Sequence, residues 1–242
     1  MHKITTLIAC TALTTLSCTA ALAEEPVGKV WSGDVELGYV AIAGNSDETS
    51  IKGKIDINRD FDIWRYNIHL ESLYTQSNNQ RTAEKYFLSN RLGRNYNDTD
   101  YLFAYGSYDQ DQFSGFDYQA SAALGWGRKL LDDALMQWDV EVGPGYRRSQ
   151  VRDDTIADDE GEAILRLFTQ FHWQFTDTAQ FSQSLNVESG DSTISKSDST
   201  LKVAINDTVS LKLFYSVKYN DSVPAGSKHA NTETGATITY SF

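Results

Sequence analysis

Apolar and polar residues alternate with a period of two almost from one end of the chain to the other. In one segment, Trp64, Tyr66, Ile68, Leu70 and Tyr74 share a face, and the residues between them are mostly polar. Successive side chains of a strand point to opposite faces, whereas an amphipathic helix needs apolar positions three and four residues apart. The sequence therefore predicts an all-β chain whose strands have one apolar and one polar face.

This pattern predicts about twelve strands, each bounded by residues that favour turns. They are expected near residues 31–43, 49–59, 63–75, 83–96, 101–109, 117–129, 136–148, 162–175, 179–188, 199–206, 209–220 and 232–242. Every other connection is short, as at 60–62 and 97–100, and most of the intervening ones are longer, as at 149–161 and 221–231. A transmembrane up-and-down antiparallel β-barrel has this arrangement, with short periplasmic turns and longer outward loops.

The aromatic residues favour a barrel over a soluble β-sandwich, because they gather at strand ends. Near the short connections lie Trp31, Trp64, Tyr96, Tyr101, Trp126, Trp138, Trp173, Phe175, Phe181 and Tyr240. Near the longer connections lie Tyr39, Tyr74, Tyr86, Tyr118, Tyr146 and Tyr219. Two such belts mark the membrane interfaces of outer-membrane barrels. The mean hydropathy of −0.42 is compatible with a barrel, and no run after residue 23 is apolar enough for a membrane-spanning helix.

The first 23 residues have the pattern of a cleaved signal peptide. Lys3 gives a positive start, Ile4–Leu22 is uncharged and largely apolar, and Ala21-Leu22-Ala23 matches the small-x-small pattern of a cleavage site. Cleavage before Glu24 would leave residues 24–242 as one outer-membrane barrel domain. Two alternatives stay open: an uncleaved anchor helix, and a lipoprotein attached through a cysteine.

Cleavage would also change the charge and redox chemistry of the chain. It would remove Cys10 and Cys18, the only two cysteines, so the mature protein would form no disulfide. The loss of Lys3 would lower the formal net charge from −12 to −13. Binding to nucleic acid requires clustered Lys and Arg, so this acidic balance excludes a nucleic-acid partner.

The last predicted strand resembles the carboxy-terminal signal of bacterial outer-membrane barrels. Ile238, Tyr240 and Phe242 share one face and alternate with Thr and Ser. We expect the barrel-assembly machinery to recognise these residues during biogenesis. The predicted surroundings of the mature protein are outer-membrane lipid and lipopolysaccharide, in which it would lie as a monomer.

If the apolar face contacts lipid, the opposite face lines the lumen. The inward acidic residues are then Asp34, Glu36, Asp56, Glu71, Asp139, Glu141, Glu162 and Glu188. The inward basic residues are Lys52, Lys54, Arg65, Arg91, Arg147, Arg166, Lys202, Lys212 and Lys218, and the inward histidines are His69 and His172. Such charges either form ion pairs that keep the barrel rigid, or line a pore that sorts small solutes.

The predicted strand number leaves both interpretations open. Twelve strands give a lumen between that of eight-stranded barrels, which side chains fill, and that of wide porins. None of the predicted loops is long enough to form a large plug, so a narrow channel is compatible with the sequence. Gly125, Gly127, Gly143 and Gly145 are expected to relieve crowding on the lumen side of tightly curved strands.

An acidic cluster, Asp153-Asp154 and Asp158-Asp159-Glu160, falls in the longest predicted loop. As an outward loop it could attract divalent cations that bridge lipopolysaccharide phosphates. The alternative is a solvated loop that resists aggregation. Its spacing does not match a calcium-binding loop, and the sequence predicts no metal site and no cofactor.

A catalytic site is weakly indicated at one position only. His229 lies near Ser227, Lys228 and Asp221, which could serve as nucleophile, base and orienting group. A Ser and a His two positions apart in a Gly-Ser-Lys segment do not define that geometry. The sequence therefore predicts no catalytic residues and no enzyme activity.

Several segments resemble, in order, those of the YdiY-like family of salt-induced outer-membrane proteins. They are Trp31–Gly38 followed by Gly44-Asn45, then Asp111–Phe116, then Gly125-Trp126-Gly127, and then Gly143–Arg147. The resemblance implies an outer-membrane location and a link to salt or osmotic stress. It implies no ligand, activity or catalytic residue.

Together these observations predict a non-enzymatic outer-membrane barrel with a structural or salt-stress role in the envelope. The first alternative is a narrow channel for small solutes or ions. The second is an outer-membrane lipid hydrolase that acts through His229.

Overall fold

The computed structural model of the chain describes residues 31–43, 48–77, 80–112, 114–152, 160–223 and 227–242. Several sequence predictions fall outside the described residues. These are the signal peptide 1–23, the domain start at Glu24, the motif Gly44-Asn45, and Asp153 to Asp159 of the acidic cluster. The side chains of Tyr39 and Glu160 also lie outside the described part.

Twelve strands make up the described structure. They are β1 (Trp31–Ala43), β2 (Glu48–Phe61), β3 (Trp64–Ser77), β4 (Gln80–Asn95), β5 (Asp100–Asp111), β6 (Phe116–Asp132), β7 (Met136–Val151), β8 (Glu160–Thr176), β9 (Ala179–Ser189), β10 (Thr193–Ala204), β11 (Val209–Asn220) and β12 (Ala230–Ser241). Among the residues described, none forms a helix long and apolar enough to cross a membrane.

The strands form one closed barrel in which every strand pairs antiparallel with its sequence neighbours and β1 pairs with β12. At the closing seam Leu37 lies opposite Ile238. Gly33 and Phe242 exchange two backbone hydrogen bonds, each 3.0 Å long. The final residue therefore completes the sheet, and the predicted all-β up-and-down barrel is confirmed. We call the end that holds Trp31 and Phe242 the short-turn end, and the opposite end the long-loop end.

The strand boundaries differ most from prediction at β10. The alternating pattern predicts a start near residue 199, but β10 begins at Thr193, where it already pairs with Ser189 of β9. The connection between β9 and β10 is thus a turn of residues 190–192 and not a long loop. The alternation rule fails here because Ile194, the one apolar residue in 193–198, lines the lumen and the other five are polar.

The outer face of the barrel exposes large apolar side chains. Leu37 and Leu124 are each 65% exposed and Ile51 is 71% exposed. Exposure of such side chains around a whole barrel suits contact with lipid and not with water. Exposed aromatic side chains lie near both ends, as the two predicted belts require, for example Trp173 at the short-turn end and Tyr146 at the long-loop end.

Tyr101 was predicted to belong to the outer aromatic belt, and this prediction is wrong. Its side chain is 0% exposed and lies inside the barrel with Phe103. Two glycines on the adjoining strand β6 give these two rings their space. A Cβ atom at Gly127 would lie 2.3 Å from the Tyr101 ring, and one at Gly125 would lie 2.8 Å from the Phe103 ring. The apolar-outward rule is therefore reversed at the start of β5.

Candidate functional site: the barrel lumen

The barrel encloses a cavity of about 700 Å³ that is lined mostly by polar and charged residues. Its lining extends from Asp60 and Arg65 near the short-turn end to Asp109 and Lys218 nearer the long-loop end. The cavity therefore follows most of the barrel axis, and it is the candidate functional site.

The structure places the predicted lumen residues on the inner face. The cavity wall includes Asp34, Lys54, Asp56, Arg65, His69, Glu71, Arg91, Asp139, Arg147, Arg166, His172, Glu188, Lys202, Lys212 and Lys218. The other four predicted residues lie beside the cavity, each against a charged partner: Glu36, Lys52, Glu141 and Glu162.

One network of ion pairs lies on the inner faces of β2, β3, β4, β5 and β12. Lys52 Nζ lies 2.5 Å from Glu71 Oε1 and 2.8 Å from Glu233 Oε2. Lys85 Nζ lies 3.0 Å from Glu233 Oε1 and 3.5 Å from Asp111 Oδ2. The charges alternate in sign along this network, so each buried ion has an oppositely charged neighbour.

A second network centres on Glu141 of β7, whose side chain is 0% exposed. One carboxylate oxygen accepts a hydrogen bond from Arg166 Nη1 at 2.9 Å, and the other accepts hydrogen bonds from Arg91. The Arg166 guanidinium lies over the Tyr105 ring, 3.9 Å from its centroid, and Arg91 Nη2 donates to the Tyr101 hydroxyl at 2.9 Å. One carboxylate thus binds two arginines, and each of these arginines also contacts an inward aromatic ring.

Arg147 of β7 stabilises the tight turn between β9 and β10 through hydrogen bonds. Its buried guanidinium donates to Glu162 Oε1 at 2.7 Å, to the Ser192 carbonyl oxygen at 2.8 Å and to the Glu188 carbonyl oxygen at 3.3 Å. Glu162 in turn accepts a hydrogen bond from the backbone N–H of Ser192 at 3.0 Å. These bonds hold the turn against the wall of the barrel.

Two further contacts join opposite walls of the lumen. Lys218 Nζ of β11 lies 2.6 Å from Asp109 Oδ2 of β5, and these strands are six positions apart in either direction around the barrel. Lys196 Nζ of β10 lies 3.6 Å from Glu71 Oε2 of β3 and 4.9 Å from the centroid of the Phe87 ring on β4. We call these two contacts the cross-lumen bridges.

Several residues of these networks were not predicted from the sequence as inward, namely Lys85, Asp109, Asp111, Lys196 and Glu233. Lys196 and Lys202 are an even number of positions apart and therefore share a face of the strand. A prediction that started β10 earlier would have placed Lys196 inside the barrel. Glu233 shares its face with Thr237, which was recognisable as polar. Asp109 was hidden because it shares its face with Tyr101 and Phe103, whose rings suggested an outward face.

The two lumenal histidines have hydrogen-bond partners on the barrel wall. His69 Nδ1 lies 2.6 Å from Asp56 Oδ1, and its Nε2 lies 3.5 Å from Glu71 Oε2. His172 Nδ1 lies 2.8 Å from the Ser182 hydroxyl oxygen. The contacts with Asp56 and Ser182 join neighbouring strands, and all three contacts orient the rings.

The residues considered for catalysis, His229, Ser227 and Asp221, each form a hydrogen bond with a different backbone group. His229 Nδ1 lies 2.8 Å from the backbone carbonyl oxygen of Asn220, so it acts as the donor there. The Ser227 hydroxyl donates to the carbonyl oxygen of Ser114 at 3.4 Å, and Asp221 accepts from the backbone N–H of Thr193 at 2.8 Å. Within the described ranges, no group of three or more His, Cys, Asp or Glu side chains is placed to hold a metal ion.

A closed antiparallel barrel with an apolar outer face and an ion-paired polar lumen defines the class of outer-membrane β-barrels. Solved structures of this class have a similar fold. A NanC porin structure has a TM-score of 0.58 at 7% identity, covering 85% of this chain and 98% of that one. A KdgM porin has a TM-score of 0.51 at 11% identity, covering 86% and 99%. Outer membrane phospholipase A from Escherichia coli has a TM-score of 0.53 at 13% identity, covering 86% and 89%.

Sequence comparison identifies the family within this class. The chain belongs to the family described as "Protein of unknown function, DUF481", whose model matches residues 35–242. A curated relative is "Uncharacterized protein YdiY" of Escherichia coli strain K12, which is 29% identical over 215 residues. That match covers 88% of this chain and 84% of the relative. The YdiY-like resemblance inferred from the order of the motifs is therefore confirmed.

Proposed function

We propose that the protein is a non-enzymatic outer-membrane barrel with a structural role in the envelope under salt or osmotic stress. The observation that carries this proposal is the pair of cross-lumen bridges. Each bridge is an ion pair between strands that are not neighbours in the sheet. One joins Lys218 to Asp109 and the other joins Lys196 to Glu71. A barrel braced in this way resists deformation of its cross-section.

The fold supports the proposed location and surroundings. The apolar outer face and the aromatic residues at both ends suit outer-membrane lipid and lipopolysaccharide. The closing strand, with Ile238, Tyr240 and Phe242 on one face, supports recognition by the barrel-assembly machinery. Because β1 and β12 close the barrel within one chain, we propose a monomer.

The proposed link to salt stress has two supports. One is membership of the YdiY-like family, through the resemblance described above. The other is physical, because buried ion pairs are screened by dissolved salt much less than exposed pairs. The side chains of Arg166 and Glu141 are 2% and 0% exposed, so their attraction persists at high ionic strength. A barrel held by such pairs keeps its shape when the external salt concentration rises.

A narrow channel for small solutes or ions is the second candidate. It is favoured by the polar cavity of about 700 Å³, whose walls extend from Asp60 to Lys218. A permeating solute would have to pass both cross-lumen bridges, since all four of their residues line this cavity wall and the Lys218–Asp109 bridge lies nearer its long-loop end.

Planar-bilayer recording separates the two functions. We expect the refolded wild-type protein to show no steady unit conductance, because ion pairs obstruct its lumen. The double variant D109A/K218A, which lacks one bridge, is expected to conduct. The matched control is K129A/D132A, which removes an ion pair from the short-turn end and should stay silent. Steady conductance of the wild-type protein, with an ion selectivity that R65Q changes, would instead establish a channel.

We propose no catalytic role, and the hydrolase alternative has its own test. The contacts of His229, Ser227 and Asp221 are to separate backbone groups, which supports a structural role for all three. The refolded protein is expected to be inert toward phospholipid and lipid A. Release of fatty acid by the wild-type protein, and its loss in the H229A variant, would show that this proposal is wrong.

A further inference from the structure

The outer face of the barrel carries two arginines on aromatic rings at the short-turn end. The Arg59 guanidinium carbon lies 4.7 Å from the centroid of the Trp31 ring and 5.7 Å from that of Phe61. The Arg94 guanidinium carbon lies 5.8 Å from the centroid of the Trp64 ring. Cation–π contacts of this kind hold a guanidinium in place without neutralising its charge.

Both arginines lack an acidic partner within the described part of the chain. The Arg59 Nε atom is buried and has no hydrogen-bond partner there. A third arginine of the same outer face, Arg128 of β6, differs because Asp100 Oδ1 lies 3.6 Å from its Nε atom. Arg59 and Arg94 therefore retain their positive charge for a ligand, and the Arg94 side chain is exposed.

The register places these two arginines on either side of β3. Arg59 of β2 lies opposite Tyr66, and Arg94 of β4 lies opposite Trp64. Two strand spacings separate β2 from β4, which is about 10 Å. The two guanidiniums thus flank an aromatic surface formed by Trp64 and Tyr66. We call Arg59, Arg94, Trp31, Trp64 and Tyr66 the arginine–aromatic patch.

We propose that the arginine–aromatic patch binds the headgroup phosphates of phospholipids. The planar guanidinium presents paired N–H donors that match the oxygen atoms of a phosphate. Aromatic belts lie at the level of the headgroups, so Trp31 and Trp64 place both arginines at the depth of the phosphates. The inference rests on the proposed outer-membrane location, where the leaflet at the short-turn end consists of phospholipid. The acyl chains would lie along the apolar outer faces of β2, β3 and β4, for example on Leu70 and Leu88.

Native mass spectrometry of the refolded full-length barrel in detergent micelles tests this proposal. The probe is dioleoyl phosphatidylglycerol, and dioleoylglycerol is the comparison because it has the same chains and no phosphate. We expect the phospholipid to bind more tightly than the diacylglycerol. R59Q and R94Q should each weaken phospholipid binding about fivefold, and the double variant about 25-fold. R128Q is the matched control, since Arg128 already has Asp100 as a partner, and its affinity should stay at the wild-type value.

Three results would overturn the proposal. They are equal binding of the phospholipid and the diacylglycerol, wild-type affinity in R59Q/R94Q, and a loss in R128Q as large as in R94Q. Inorganic phosphate is added to separate a lipid site from a site for the free anion. It should not displace the phospholipid, and displacement at millimolar concentration would show that the ligand is the free ion. Heat-modifiable gel migration verifies that each variant has folded. If R59Q does not fold, R94Q is sufficient, because the Arg94 side chain is exposed.

Discussion

Replacing Glu141 with Gln is expected to destabilise the folded barrel by about 3–5 kcal/mol, the cost of removing one partner from a buried ion pair. The substitution nearly preserves shape, removes the charge and replaces one of the two acceptor oxygens with an NH2 donor. Arg91 and Arg166 would then share a neutral amide, and the buried Arg166 guanidinium would lose its carboxylate partner. The measurement is the free energy of unfolding from urea titration of the refolded protein.

The control for this experiment is Asp132→Asn. Asp132 accepts a hydrogen bond from Lys129 at 2.7 Å, but its side chain is 49% exposed. Exposed pairs contribute about 0–1 kcal/mol, so this variant should remain close to the wild-type stability. If E141Q lost no more stability than D132N, Glu141 would not be the centre of its network.

Replacing Gly125 with Ala is expected to destabilise the barrel by about 1–3 kcal/mol through overpacking. The added Cβ atom would lie 2.2 Å from the Val142 carbonyl oxygen and 2.7 Å from the Gly143 Cα atom. Both contacts are with backbone, so β6 and β7 would have to move apart. The urea midpoint and the fraction of heat-modifiable protein report the change.

Gly106→Ala is the matched control and should cause no loss of stability. The nearest atom to a Cβ at Gly106 is the Ser121 carbonyl oxygen at 4.0 Å, which leaves room for a methyl group. Glycine inside a strand costs about 0.5–1 kcal/mol relative to alanine, so G106A should be neutral or stabilising. Equal stabilities of G125A and G106A would contradict the claim that close strand contact requires Gly125.

Most of the fold was predictable because a barrel places one simple demand on its sequence. Each strand needs an apolar outer face, so apolar residues such as Leu70 and Ile238 occur at every second position. Prediction failed at 193–198, where the outer positions are Thr and Ser and the one isoleucine points inward. It also failed at Tyr101, because the space that glycines leave on the neighbouring strand cannot be recognised from the alternation of β5 alone.

The candidate site was predictable as a set of residues but not as a set of pairs. Parity alone places Glu71, Glu141 and Arg166 on the inner face. Their partners depend on strand register and on which strands meet across the lumen. Lys218 and Asp109 are brought together only by the closure of twelve strands, and no local pattern in the sequence encodes that distance.

The same contact has a consequence for the rates of folding and unfolding. Lys218 and Asp109 are 109 positions apart in sequence, and their strands meet only across a closed barrel. An interaction that is absent until closure cannot accelerate closure, so it should act on unfolding alone. The cross-lumen bridges should therefore leave the rate of barrel formation unchanged and slow unfolding, which lengthens the lifetime of the folded barrel.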